Sequence, residues 1–333
     1  CVRGFSSWKP ETGYNHSRLN IPVLFGMIFV VGVVGNSLVL VVIGSLKHRG
    51  GERVLSPTNI FIVNLSLADL SFLLLCVPVH ATIYSLPEWV FGAFLCKFGH
   101  YFYTVSMLVS IFTLAGMSVD RYIAVVRSKS SVCVRSRRKA LVGVCLIWTL
   151  SLACSVPVGQ HQILTNHPTA PNSTFCWENW SGASRRAFKV SVLVLGFVLP
   201  LLLICCCYTR VSTGLISVID ALMFSSSQTV QTILLVVAAF TICWMPHHII
   251  AMWVEFGRFP LNDASFAFRI VSHCLSYGNS CVNPILYAFL SENFRTACRR
   301  VFTRSLSYPP PSNGKVVRFR MDNFSTTHST TNI

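Results

Sequence analysis

Residues 96–122 read CKFGHYFYTVSMLVSIFTLAGMSVDRY, and this stretch decides the fold of the chain. Between Lys97 and Asp120 lie 22 residues without an Asp, Glu, Lys or Arg. At about 1.5 Å per residue a helix of that length reaches roughly 33 Å, enough to cross a hydrocarbon core of about 30 Å. The two ends carry different chemistry. Cys96 can be bridged in an oxidising compartment, whereas Asp120-Arg121-Tyr122 leads into the basic Arg127 and Lys129.

Six further apolar runs surround this one, at 21–46, 60–86, 140–158, 190–209, 229–254 and 270–290. Asp69, in the second, is the only acid or base in any of the seven. The whole chain is 53% hydrophobic and 11% charged, with mean hydropathy +0.59, whereas soluble domains carry about 25% charged residues. Runs this long cross lipid as helices, because each helix satisfies its own backbone. The expected architecture is an all-α bundle of seven transmembrane helices over 21–290. An outer segment (1–20) precedes it, with a short amphipathic eighth helix (291–302) and a disordered tail (303–333) after it. The chain opens on Cys1, which reads as an incomplete N-terminal segment.

The net charge of +16 invites a nucleic-acid reading, but its placement argues otherwise. With the N-terminus outside, the inner segments collect 18 of the 27 Lys and Arg. That is the positive-inside bias, so the charge sets orientation and meets anionic lipid. Multi-pass plasma-membrane residence with the N-terminus outside follows.

The 14 cysteines form no paired C-x-x-C set, and most lie inside apolar runs as small packing residues. Cys96 and Cys176 both fall on the outer side. Topology permits a disulfide between them and leaves the pairing open. Sequons at Asn15, Asn172 and Asn179 fall outside and are glycosylation candidates, whereas those at Asn64 and Asn323 read as chance matches. Cys298, among Arg295, Arg299 and Arg300, is a palmitoylation candidate.

Several residues carry chemistry beyond span formation. Asp69 is a lone carboxylate at bilayer depth, which is costly and by default functional; a protonated structural Asp is the bland alternative. Prolines at 78, 157, 200, 246 and 284 free carbonyls and make hinges. Tyr103, Ser106 and Ser110 recur at near-helical spacing toward an interior. The segment 159–185, with Cys176-Trp177-Glu178, is an exposed candidate lid or ligand platform. Three classes of seven-helix protein fit poorly. No internal repeat supports a transporter, no filter stretch a channel, and no converging carboxylates, metal set or nucleophile–base pair an enzyme.

Taken in order, Gly35-Asn36, Leu65-Ala68-Asp69, Cys96, Asp120-Arg121-Tyr122, Trp148, Pro200 with Tyr208, Cys243-Trp244-Pro246 and Asn283-Pro284-Tyr287 resemble the rhodopsin-like (class A) G-protein-coupled receptors. The stretch 104–114 resembles galanin receptors. So do Thr174-Phe175-Cys176-Trp177-Glu178, Pro246-His247-His248-Ile249-Ile250 and Phe259-Pro260-Leu261. Glu255 and Ser291-Glu292-Asn293-Phe294-Arg295 favour the type 1 branch. A receptor for another neuropeptide, allatostatin- or kisspeptin-like, is the alternative.

The resemblance implies a galanin site at Tyr103, His247, His248, Glu255 and Phe266, with carboxylate, imidazole and aromatic surface at the mouth. It implies a sodium site and switch at Asp69, Ser110, Trp244, Asn279, Ser280 and Asn283. Asp120, Arg121, Tyr122, Tyr208 and Tyr287 would meet a heterotrimeric Gi/o protein that lowers cyclic AMP. The Ser/Thr-rich tail would meet arrestin, and no cofactor beyond an allosteric sodium ion is implied. Two departures stand out. Type 1 receptors carry His where this chain has Ala251 and Phe where it has Tyr103, which bears on ligand preference. Their third inner loop is lysine-rich, whereas 211–227 here holds one charge, Asp220, and coupling is expected to be impaired.

Overall fold

The computed structural model describes residues 15–45, 56–86, 88–126, 136–167, 170–216, 223–260, 262–290 and 292–306. Four helices come first: α1 (Asn15–Ser45), α2 (Pro57–Ser85), α3 (Gly92–Val126) and α4 (Arg137–Gln160). A two-stranded hairpin, β1 (Gln162–His167) and β2 (Ala170–Glu178), follows. Next is α5, in three continuous pieces: Ala183–Leu193, a π-helical turn Val194–Val198 and Leu199–Ile216. Then come α6 (Met223–Phe256), α7 (Asp263–Leu290) and α8 (Glu292–Leu306).

Local sequence explains the starts and bends. Ser56 caps α2 by accepting from the Asn59 N–H at 3.2 Å, with Pro57 at the first helical position. Ser136 does the same for α4 through the Lys139 N–H at 3.3 Å. In α5 the Leu199 N–H reaches back five residues to the Val194 carbonyl, just before Pro200, which has no N–H to offer. The wide turn brings Gly196 against Leu108 of α3, where an added Cβ would come within 2.6 Å of the leucine side chain.

The third run is the axis of the bundle, as its sequence promised. Helix α3 packs against α2, α4, α5 and α6, and Tyr103, Ser106 and Ser110 all face inward and are buried. The inter-helix ties are polar, as expected where lipid removes the hydrophobic drive between helices. Asn36 of α1 donates to the Ser280 carbonyl of α7 at 2.8 Å. Trp148 of α4 donates to Asn64 of α2 at 2.8 Å, and Asn64 donates to Thr113 of α3 at 2.8 Å. Asn64 is therefore a structural residue, which agrees with reading its sequon as chance.

Several sequence-based boundaries change. Helix α1 begins at Asn15, ahead of its apolar run, and α8 ends at Leu306, past the expected end at 302. Within 211–227, read as a loop, α5 continues to Ile216 and α6 begins at Met223. The flanking segments hold no proline and no charge that would end a helix. The candidate lid is a β-hairpin, with Ile163 opposite Trp177 and Leu164 opposite Cys176. Among the described residues six helices are long and apolar enough to span a membrane by composition. Helix α7 has the length at 28 residues, but polar residues such as Ser272, Ser276, Asn279, Ser280 and Asn283 lower its hydropathy, and all five are buried. Of the sequons, Asn15 opens α1, Asn172 lies in β2, and Asn179 is exposed just after β2. Residues 1–14 and 307–333 lie outside the described residues.

Candidate functional site

The outer mouth is built where α2, α3, α6 and α7 converge beneath the hairpin. Cys96 at the start of α3 and Cys176 in β2 are joined by a disulfide with Cα atoms 5.5 Å apart. A second tie holds the hairpin to the loop before α3: the Trp89 N–H donates to the Thr174 carbonyl at 2.8 Å, and the Thr174 hydroxyl donates to the Trp89 carbonyl at 3.1 Å. The hairpin is thus fastened along its α3 edge.

The floor of the mouth is a continuous set of rings centred on Tyr103, which is 5% exposed. Its centroid lies 5.4 Å from Phe72, 5.4 Å from Trp244 and 5.3 Å from His247. It also lies 5.2 Å from His80 and 5.5 Å from His273. The Tyr103 hydroxyl stands 3.5 Å from His247 Nδ1. Edge-to-face geometry dominates these contacts, and it favours aromatic pairs beyond the area they bury. His248 points elsewhere, onto Phe197 of α5 at 4.5 Å, with its Nε2 buried and without a hydrogen-bond partner among the described residues. Phe266 joins the set from the rim through Tyr84 at 6.0 Å.

The structure thus brings Tyr103 and His247 together and places His248 and Phe266 on separate flanks. Glu255 is occupied: its carboxylate pairs with Arg185 at 3.0 Å, and the Glu255 side chain is 5% exposed. Arg185 also meets Glu178 of β2 at 3.3 Å, and Lys189 meets Glu178 at 3.2 Å. Burial pushes the Glu178 carboxyl up, but Lys189 and Arg185 outweigh burial and hold it below its ordinary value.

Below the floor, Phe72 stacks on Trp244 at 6.0 Å and on Tyr277 at 4.6 Å. Trp244 contacts Phe240 at 5.9 Å, one turn further in. Asp69, one turn from Phe72, is 1% exposed. Ser280 donates to one of its oxygens at 2.7 Å and Asn283 to the other at 2.8 Å. Ser110, Trp244 and Asn279 are buried but make no bond to that carboxylate among the described residues. The side-chain oxygens of Asn279 and Asn283 and the Trp244 indole N–H have no partner there either. No three His, Cys, Asp or Glu among the described residues converge to hold a metal ion, so any ion near Asp69 would rest on one carboxylate with neutral oxygens.

At the inner end, Asp120 and Arg121 stand 3.8 Å apart. Thr58 of α2 lies between them: its hydroxyl donates to Asp120 at 2.9 Å and accepts from the Arg121 guanidinium. The Tyr208 and Tyr287 hydroxyls are buried and unpartnered among the described residues, and Tyr287 meets Phe294 of α8 at 6.4 Å. Tyr122 is half-buried against the core, and Cys298 is half-buried on α8.

Sequence reading missed Phe72, His80, His273, Arg185 and Thr58. The two histidines carried a signal, since each is a polar ring inside an apolar run. Arg185 and Thr58 carried none, because their roles come from partners 70 and 62 residues away in sequence.

The chain resembles known proteins over most of its length. The family model of the rhodopsin-type 7 transmembrane receptor matches residues 35–287. Galanin receptor type 1 of Homo sapiens is 56% identical over 285 residues, covering 84% of this chain and 80% of the relative. The Mus musculus type 1 receptor is 52% identical over 328 residues, 97% of this chain and 93% of the relative. Galanin receptor type 2 of Homo sapiens is 42% identical over 313 residues, 92% of this chain and 77% of the relative.

Proposed function

Because this chain belongs to the rhodopsin family of seven-transmembrane receptors, within its galanin-receptor branch, we propose that it binds galanin and signals through Gi/o proteins to lower cyclic AMP. It is a receptor and not an enzyme, and a multi-pass protein of the plasma membrane. The observation that carries the ligand reading is the unbroken run of rings from the mouth inward: His247, Tyr103, Trp244 and Phe240. An aromatic peptide side chain seated on Tyr103 and His247 displaces rings that bear directly on Trp244, beside the Pro246 hinge of α6. His248 and Phe266 would meet the peptide from either flank. Tyr103 adds a hydroxyl where type 1 relatives have Phe, so hydrogen bonding joins ring contact at that point.

At the inner end, Arg121 rests against Thr58 and Asp120. Its release, with Tyr122, Tyr208 and Tyr287 around it, would open the G-protein face. Agonist and G protein then favour the same state, and each tightens the other's binding. The Ser/Thr-rich tail is the proposed arrestin contact. A sodium ion fits the Asp69 environment by chemistry: one carboxylate with the Asn279 and Asn283 amide oxygens and the Ser280 and Ser110 hydroxyls makes a hard, all-oxygen set of low charge. Those residues hold the resting arrangement of α2 and α7 together, and Asp69→Asn should remove any effect of sodium on agonist affinity.

The experiment is displacement of labelled galanin from membranes bearing the receptor, with and without a GTP analogue. Saturable binding that weakens with the analogue supports both ligand and coupling. Binding indifferent to the analogue keeps galanin and places the fault in the third inner segment, 211–227. No binding at normal surface expression overturns the galanin reading in favour of another neuropeptide.

A further inference from the structure

The hairpin that roofs the mouth is fastened differently on its two edges. Toward α3 it is held by the Cys96–Cys176 bridge and the Trp89–Thr174 pair. Toward α5 and α6 no disulfide reaches it among the described residues; Lys189 and Arg185 of α5 hold it by charge, and Arg185 alone carries the tie on to α6. Arg185 grips Glu178 of β2 with two nitrogens, Nε at 3.4 Å and one terminal nitrogen at 3.3 Å. Its other terminal nitrogen lies 3.0 Å from Glu255 at the outer end of α6. A planar fork can serve two carboxylates at once, which the point charge of Lys cannot. Lys189, one turn further along α5, completes the set on Glu178 at 3.2 Å.

We propose that Arg185 is a positioning residue that latches the β1–β2 hairpin to α6, and that Glu255 serves ligand binding through this latch and not as a free counter-charge for the peptide. The set holds two acids and two bases. An incoming peptide therefore meets Glu178 and Glu255 with their charges already matched, and selectivity falls more to the rings and imidazoles of the floor. The Arg185 and Glu255 side chains are 10% and 5% exposed. A pair so little exposed is weakly screened by salt, and removing Arg185 leaves the Glu255 charge stranded. Because Glu255 rides on the helix that carries Trp244 and Pro246, the latch also makes the roof and the α6 hinge move together. This inference rests on the ligand reading above for its binding arm only.

The test uses the full receptor and two readouts: labelled-galanin affinity, and hydrogen exchange of the hairpin in the purified, ligand-free protein. Arg185→Gln and Glu255→Gln should each weaken galanin by roughly tenfold or more, and the double variant should be no worse than the poorer single one. Hairpin exchange over residues 162–178 should rise about tenfold in both, and Arg185→Lys should recover part of it by restoring charge without the fork. If Arg185→Gln does not reach the surface, Glu255→Gln breaks the same pair from the other side. Losses that multiply in the double variant, or hairpin exchange unchanged in the singles, overturn the latch. Failure of the unaltered receptor to bind galanin sinks the ligand reading alone, and exchange still decides the latch.

Discussion

Helices α3 and α4 are neighbours, both long and apolar, yet over the most apolar 18 residues of each, 78% are buried inside the protein in α3 and 11% in α4. Of the six spans found by composition, α3 is the least apolar. In water the order would be reversed, because the most apolar element seeks the centre. In lipid every outward face must be apolar and only the inward faces can carry hydroxyls, amides and carboxylates. Polarity within an apolar run, and not apolarity itself, marks the helix at the centre. The same rule explains α7, the most polar of the seven and the partner of Asp69 through Ser280 and Asn283.

The contrast can be broken by paired substitutions. Leu114→Ala or Met117→Ala on α3, both nearly unexposed, should cost about 2–4 kcal/mol through cavity formation. Leu150→Ala on α4, 55% exposed to lipid, should stay within about 0.5 kcal/mol. Thermal unfolding of the detergent-solubilised receptor measures both, and equal losses would refute the reading of α3 as the packed axis.

Thr58→Val keeps the volume and removes the hydroxyl between Asp120 and Arg121. Loss of about 1 kcal/mol of resting-state restraint should raise basal nucleotide exchange on the G protein about fivefold. An unchanged basal rate would leave Thr58 a packing residue. Smaller still, Trp148→Phe deletes one hydrogen bond between α4 and Asn64 and should cost about 0.6 kcal/mol, the average for such bonds in a membrane. A loss as large as that on α3 would mean α4 is held as firmly as the axis.

The smallest effect belongs to the hairpin. With Arg185 and Lys189 of α5 beside it, and His100 of α3 and Arg269 of α7 within electrostatic reach, Glu178 has a carboxyl held below its ordinary 4.5 in the folded receptor. Its contribution is therefore fully present above that value and lost as pH falls through the lower folded one. Hairpin exchange, corrected for the intrinsic pH dependence of amide exchange, should be flat from neutral pH down to about 5 and should rise only below the ordinary carboxylate range. A rise that begins nearer neutrality would assign the change to a different group.

The span pattern was legible because hydrocarbon thickness sets a length and an apolar composition that no soluble helix needs. Asp69, Trp244 and Asp120-Arg121 were legible as polar or bulky exceptions to that pattern. The hairpin roof was not: 159–185 reads as a polar connection, and only the pairing of 162–167 with 170–178 reveals two strands. Glu255 was legible as a rim carboxylate but not as one already paired.

The sequence by itself determined the seven spans, their orientation by basic residues, the centrality of the third and the family. Each of these is set by local composition against the bilayer, residue by residue. Only the tertiary structure decided that Cys96 meets Cys176, that His247 lies on Tyr103 while His248 lies on Phe197, that Thr58 bridges Asp120 and Arg121, and that Arg185 holds Glu178 and Glu255 together. Those are meetings of side chains distant in sequence, fixed by how helices rotate and tilt against one another, and no periodicity along a single helix encodes the rotation of its neighbour.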